Sequence, residues 1–75
     1  ELLAREVGDH LLRALNRLSP RQRAVFVLRH YEDYRLEQIA DHLAMSLGTA
    51  KSHLNSALVT LRRELKDFYD PRASG

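Results

Sequence analysis

Several features that define other protein classes are missing from this sequence of 75 residues. It has no cysteine, which excludes a disulfide scaffold, a thiolate metal site and a cysteine nucleophile and fits a reducing, cytoplasmic compartment. No apolar run approaches the roughly 20 residues that a bilayer-spanning helix needs. The first residues mix Glu1, Arg5, Glu6 and Asp9 with leucines, unlike a signal peptide. We therefore expect a soluble protein with no membrane partner.

The length predicts one small domain, because a chain of this size can bury only a single modest core. A deep catalytic cleft is not expected, and there is no internal repeat or low-complexity segment. The sequence starts at Glu1 without an initiator methionine, which suggests a fragment of a longer protein. We place the domain at residues 1–69 and expect a disordered tail at residues 70–75.

The charge is distributed unevenly, although the net formal charge is only +2. Residues 20–31 carry three arginines and no acid, giving +3, whereas residues 32–42 carry four acids and one arginine, giving −3. Residues 43–75 carry +2. A polyanion would therefore meet favourable charge on some faces of the protein only.

Apolar residues recur at steps of three and four, which predicts helices. The first helix would bury one stripe, made of Leu2, Leu3, Val7, Leu11, Leu12, Leu15 and Leu18. Ser19 is placed to cap a second helix, with Pro20 at its first position and Gln22 closing a capping box. That helix would bury Ala24, Val25, Val27, Leu28 and Tyr31.

Two further helices are predicted after a polar break at residues 32–34. The third is about two turns long and would bury Leu36, Ile39, Ala40 and Leu43. Ser46 is placed to cap the fourth helix. Its long apolar stripe is Leu47, Ala50, Leu54, Ala57, Leu61, Leu65 and Phe68. The predicted fold class is therefore all-α, a four-helix domain that contains a helix-turn-helix and ends in a long recognition helix.

The candidate functional unit is the helix-turn-helix at residues 36–58. Its hinge would be packed by Leu36, Ile39, Leu43, Ala50 and Leu54, with the small Ala40 at the crossing and Met45 in the turn. The outer side of the last helix offers donors and acceptors for phosphates and base edges, and its N-terminus adds free N–H groups. The candidate DNA-binding residues are Ser46, Thr49, Lys51, Ser52, His53, Asn55 and Ser56. Similar polar faces also occur on helices that bind nothing, so the residues alone leave both possibilities open.

No catalytic residue, metal or cofactor is predicted. The histidines are not spaced three or four residues apart, as a helical metal site requires, so we assign them to the surface or to helix packing. They are His10, His30, His42 and His53. Glu32 and Asp33 lie in the polar break without a nucleophile nearby in sequence, which favours a solvated turn over acid/base catalysis.

For two other groups of residues, the sequence favours a structural interpretation. Positive residues near a helix end suit the helix dipole, although they could also contact a phosphate or a partner. These residues are Arg62, Arg63 and Lys66. Aromatic residues at helical spacing favour core and rim packing over stacking on bases. These residues are Phe26, Tyr31, Tyr34 and Phe68.

Three motifs are more specific than the helix pattern. They are LSPRQRAVFVLR at residues 18–29, EQIA at residues 37–40 and SLGTAKS at residues 46–52. In this order and spacing they resemble the fourth conserved region of the extracytoplasmic-function group of bacterial sigma factors, over roughly residues 11–65. The resemblance implies a non-enzymatic domain whose final helix reads the minus-35 element of promoter DNA. It also implies that the outer surface contacts RNA polymerase core at the flap of the β subunit.

The resemblance also assigns roles to individual positions. Lys51 and Ser52 match the family's usual basic residue and serine at the groove, and His53 stands where a second basic residue is usual. Asn55 and Ser56 occupy the next base-facing positions.

The sequence departs from the family at three positions. Arginines are common at the positions of Ser56 and Leu58, and a turn glycine is common at the position of Ala44. These departures bear on DNA affinity and on the preferred sequence, whereas the expected fold is unaffected.

Two other functions stay open. A dimeric helix-turn-helix regulator of the response-regulator type would use the stripe from Leu54 to Phe68 as its dimer seam. A helical protein-interaction module would use exposed parts of that stripe to bind an inhibitor. Sequestration by an anti-sigma factor is common in the resembling family, so this partner is implied as well. The start of the second helix, SPRQR, favours the sigma interpretation, which implies a monomer in isolation.

Overall fold

Residues 2–69 form four α-helices joined by short loops. The computed structural model describes the backbone of these residues and the side chains of residues 5, 6 and 8–66. The helices are α1 (Leu2–Asn16), α2 (Pro20–His30), α3 (Leu36–His42) and α4 (Leu47–Tyr69). The predicted all-α class is confirmed, whereas the predicted tail lies outside the described residues. Over the described chain, no helix is both long and apolar enough to cross a membrane.

The start of α2 is determined by a capping box. The backbone N–H of Gln22 donates to Oγ of Ser19, and the backbone N–H of Ser19 donates to Oε1 of Gln22, both at 3.2 Å. Pro20 is in the first turn, where a missing N–H leaves no helical hydrogen bond unmade. The predicted cap and helix start are therefore confirmed.

The helices bury two apolar clusters, and α4 contributes to both. In the first cluster, α1 packs against the middle of α4. Its buried residues are Ala14, Leu15, Leu18, Ala57 and Leu61. In the second cluster, α2 and α3 pack against the beginning of α4. Its buried residues are Val25, Ile39, Ala40 and Ala50. Because α4 spans both clusters with one side, its opposite side is left to solvent.

Among the described side chains, three apolar residues that the sequence predicts to be buried are exposed, whereas the side chains of Leu2, Leu3 and Val7 lie outside the described residues. Leu12 is 61% exposed, because it follows half-buried Leu11 by about 100° around α1, past the edge of the buried stripe. Tyr31 is 59% exposed beyond the end of α2, where its ring meets Phe26 edge-on with the ring centroids 6.4 Å apart. Leu47 is 37% exposed, because it is the first residue of α4 and has helical neighbours on one side only.

The apolar stripe of α4 is used for packing within the domain. Ala57 and Leu61 are buried in the first cluster, and Leu54 packs against the second. Leu65 is half-buried, while the side chain of Phe68 lies outside the described residues. Over its described length, the stripe therefore does not provide the exposed seam that a dimer through the last helix would need.

Candidate nucleic-acid interface

The second cluster holds α3 against α4 as a helix-turn-helix. Ile39 has no exposed surface and Ala40 is 5% exposed, so small and branched side chains fill the helix crossing. Met45, in the turn, packs against the same cluster. All five residues predicted for the hinge belong to this cluster or pack against it, namely Leu36, Ile39, Leu43, Ala50 and Leu54. The hinge prediction is confirmed.

The turn between α3 and α4 is closed by two backbone hydrogen bonds. The N–H of Met45 donates to the carbonyl of Ala40 at 2.9 Å, and the N–H of Ala44 donates to the carbonyl of Asp41 at 3.3 Å. This is the pattern of a Schellman turn, which needs a left-handed residue after the helix. Ala44 has a φ of 55°. Glycine adopts this φ without steric cost, so the turn explains why glycine suits this position.

The beginning of α4 is capped by Ser46. Its Oγ accepts a 3.0 Å hydrogen bond from the backbone N–H of Thr49, and its hydroxyl donates to Oγ1 of Thr49 at 2.9 Å. The predicted N-cap is confirmed. The N–H groups of Leu47 and Gly48 come before the first intrahelical hydrogen bond, and both residues are exposed. An anion can therefore reach N–H groups at the positive end of the helix.

The candidate DNA-binding residues lie within the cap and the first turns of α4, but not all are exposed. The exposed residues are Ser46, Thr49, Lys51, Ser52 and Asn55. His53 and Ser56 are half-buried. His53 lies about 60° around the helix from buried Ala50, and Ser56 lies about 60° from His53, so both stand at the edge between the buried and the exposed sides of α4. The expectation that all these side chains point fully outward is therefore wrong for His53 and Ser56.

We call the solvent side of this helix the exposed face of α4. It is formed by Leu47, Gly48, Thr49, Lys51, Ser52, Asn55, Val59, Arg62, Arg63 and Lys66. Val59 is 50% exposed in the middle of this face, and it is not among the residues predicted from the sequence. The available signal is spacing, because Val59 falls outside the apolar stripe that contains Leu54, Ala57 and Leu61. An aliphatic group here can contact a thymine methyl or a sugar.

Two of the histidines pack against aromatic rings. The ring centroids of His30 and Phe26 are 4.6 Å apart, and those of His42 and Tyr34 are 5.8 Å apart. Tyr34 also packs against the second cluster and Phe26 against the first. The interpretation of these residues as packing groups is therefore confirmed.

Comparison with known proteins identifies the family to which this helix-turn-helix belongs. Residues 9–61 match the model of the family described as "Sigma-70, region 4", a range that runs from the second half of α1 through α2 and α3 to Leu61 of α4. The chain belongs to this family. The resemblance noted in the sequence is thus confirmed, and the exposed face of α4 is that of a region 4 domain.

Relatives of this region 4 chain are described as sigma factors. It is 50% identical over 56 residues to an RNA polymerase sigma-E factor of Streptomyces antibioticus, an alignment that covers 75% of this chain and 31% of the relative. It is 34% identical over 70 residues to the RNA polymerase sigma factor SigV of Bacillus subtilis, covering 87% and 42% respectively. The chain thus spans about a third of the length of the sigma-E relative, at 31%. No solved structure matches the chain.

Proposed function

We propose that this region 4 chain is the DNA-binding domain of a bacterial sigma factor, which recognises the minus-35 promoter element and directs RNA polymerase to initiate transcription. The main support is the combination of the family match at residues 9–61 with a helix-turn-helix whose second helix is polar and exposed from its cap onwards. An α-helix fits the major groove, which is about 12 Å wide. The N-terminal residues of such a helix contact base edges.

The beginning of α4 would both position the domain and read the sequence. Ser46 and Thr49 organise the helix N-terminus, whose exposed N–H groups bind a phosphate. Lys51 binds a phosphate or a guanine, and Asn55 pairs with an adenine through two hydrogen bonds. The remaining members of the proposed surface are Ser52, His53 and Ser56.

Lys51 and Asn55 are suited to act in the same groove. They are four residues apart, which separates them by about 40° around the helix and about 6 Å along it. Both side chains are exposed. A contact to the DNA backbone and a contact to a base edge can therefore form together, the first setting the position of the domain and the second its specificity.

The proposal also assigns protein partners and a setting. The outer surface of the domain would contact RNA polymerase core at the β flap, and an anti-sigma factor is the expected inhibitor. The chain would act in the cytoplasm, without catalysis, cofactor or membrane contact. We expect a monomer in isolation, which light scattering can measure. A tight dimer would instead favour the dimeric regulator.

The direct test of DNA binding is selection from a pool of random duplexes at low salt, which favours electrostatic contacts. We expect one enriched sequence motif. Lys51→Glu should reduce recovery of all duplexes, whereas Arg13→Glu makes the same charge change at an exposed site on α1 and should not. Failure to retain any duplex would contradict the proposal and favour a protein-interaction module. Retention without enrichment would contradict promoter recognition.

A further inference from the structure

We propose that Arg62, Arg63 and Lys66 bind the phosphate backbone of duplex DNA, so that the contact extends along α4 beyond the residues that read bases. The inference rests on the proposed DNA-binding function and adds a second part to the same surface. These three side chains are all exposed on the face of α4 that carries Ser52 and Asn55.

On this part of α4, the positively charged side chains are exposed and the acidic side chain is half-buried. From Leu47 to Lys66 the sequence contains four cations and a single acid, Glu64. Glu64 is half-buried, and its Oε1 lies 3.7 Å from Nε of Arg17, in the turn that follows α1. The four cations are exposed, and no described side chain forms an ion pair with them. From Leu47 to Lys66, the exposed face of α4 therefore carries only positively charged side chains, which suits binding of a polyanion.

The helix dipole does not account for this arrangement. Its effect on a charged side chain falls off within the last turn of the helix. Lys66 is the basic residue in the last turn of α4, which ends at Tyr69, whereas Arg62 and Arg63 lie before that turn. The structural interpretation preferred from the sequence thus explains Lys66 at most and leaves the two arginines without a role.

The helical positions align these cations with the proposed base-reading residues. Arg62 and Lys66 each lie within about 20° of Asn55 around the helix, and Arg63 lies within about 20° of Ser52. Arg62 is about 10 Å further along the helix axis than Asn55. In a groove about 12 Å wide, that distance leads from the base edges to the bounding phosphates. Arginine binds phosphate with two parallel hydrogen bonds, which suits it to this place.

An acidic protein is the other polyanion that these cations could bind. The positions of the cations favour DNA, because they lie on the same side of α4 as Ser52 and Asn55. No acidic residue lies on the exposed face of α4 between Ser52 and Lys66. A separate protein site would not require this alignment. Polyglutamate provides a probe for the acidic-protein alternative.

The test measures how the affinity of the chain for a random-sequence duplex depends on salt. For the double variant Arg62→Gln/Arg63→Gln, we expect the slope of log affinity against log salt to become shallower by about 2, or about 1 for each lost phosphate contact. The variant Arg62→Lys/Arg63→Lys keeps the charge and should keep the slope. The control Arg5→Gln/Arg13→Gln removes two exposed charges from α1 and should also keep it.

Several outcomes would overturn the inference. One is an unchanged slope in Arg62→Gln/Arg63→Gln, and another is an equal change in the α1 control. A third is loss of polyglutamate binding with the DNA slope unchanged, which would assign the arginines to an acidic protein. In each case Asn55→Ala can still lose preference for the selected site, and the proposed function then stands. If the unmodified chain binds no duplex, both proposals are wrong.

Discussion

The backbone N–H of Met45 donates a 2.9 Å hydrogen bond to the carbonyl oxygen of Ala40, across the turn that joins α3 to α4. Both residues also take part in the second cluster, Ala40 as a buried residue and Met45 packed against it. The backbone bond and the side-chain packing therefore hold α4 in one position relative to α3. The exposed face of α4 is thus held in place by packing within the domain, which would lower the entropy lost in the proposed binding of DNA.

Ala44→Gly should stabilise the domain. Ala44 has a φ of 55°, a left-handed conformation that costs a residue with a Cβ roughly 1–2 kcal/mol. Part of that gain is offset by the greater freedom of glycine in the unfolded chain. We expect the free energy of unfolding to rise by about 1 kcal/mol and the melting temperature by roughly 4–8 °C.

The control for this substitution is Ala24→Gly, within α2. The same chemical change in a helix interior should lower the free energy of unfolding by about 1 kcal/mol. Thermal melts followed by circular dichroism measure both variants. A lower melting temperature for Ala44→Gly would show that the left-handed turn is not the conformation in solution.

Ile39→Asp should abolish folding. Ile39 has no exposed surface, and the buried residues around it are Val25, Ala40 and Ala50. An unpaired carboxylate there costs several kcal/mol, comparable with the whole stability of a small domain. Ile39→Val should cost only about 1 kcal/mol and keep a cooperative melt. A cooperative melt of Ile39→Asp close to that of the parent would contradict the described core.

Ser46 allows helix capping and DNA binding to be separated. Ser46→Ala should lower the free energy of unfolding by about 1 kcal/mol, because it removes the hydrogen bond to Thr49. Ser46→Asp should keep the stability, since aspartate also caps and suits the helix dipole. Its carboxylate should nevertheless repel a phosphate and weaken duplex binding. Melting curves and duplex titrations on the same samples measure both effects, and undiminished DNA binding by Ser46→Asp would exclude a phosphate at this N-terminus.

The local signals in the sequence are sufficient for the four helices and for the serine caps of α2 and α4, whereas the capping box of Arg35 and Gln38 at the start of α3 is not predicted. Ser19 and Ser46 can be recognised as caps because an N-cap depends on residues only three positions away. The exposure of Leu12 and Tyr31 could not be predicted in the same way. Periodicity shows which residues share a side of a helix. It does not show how far a neighbouring helix covers that side, because this depends on how the helices pack in the folded domain.

The candidate site was predictable at its beginning and less so along its length. The capped, polar first turns of α4 can be recognised from residue types alone. The isolation of positive charge around Arg62 and Arg63 cannot be recognised in this way, because it depends on the direction of Glu64 towards Arg17, a distant residue in the turn after α1. The half-buried state of Ser56 likewise depends on tertiary packing.

Ser56→Arg should raise affinity for every duplex and change the preferred base at one position. Ser56 is half-buried, but it lies within about 20° of Arg63 around the helix, so a long side chain can extend onto the exposed face of α4. Added positive charge strengthens phosphate contacts irrespective of sequence. Asn16→Arg adds the same charge at an exposed position in α1. An equal gain in both variants would show that position 56 does not reach the groove.

Comparison of Asn55→Ala with the unmodified chain, on the selected duplex and on a scrambled duplex, tests most directly whether the exposed face of α4 reads bases. We expect a loss of about 1–3 kcal/mol in binding free energy on the selected duplex and little change on the scrambled one. Asn16→Ala, at an exposed asparagine of α1, should change neither. Equal losses on the two duplexes, or no loss on either, would contradict base reading by this face.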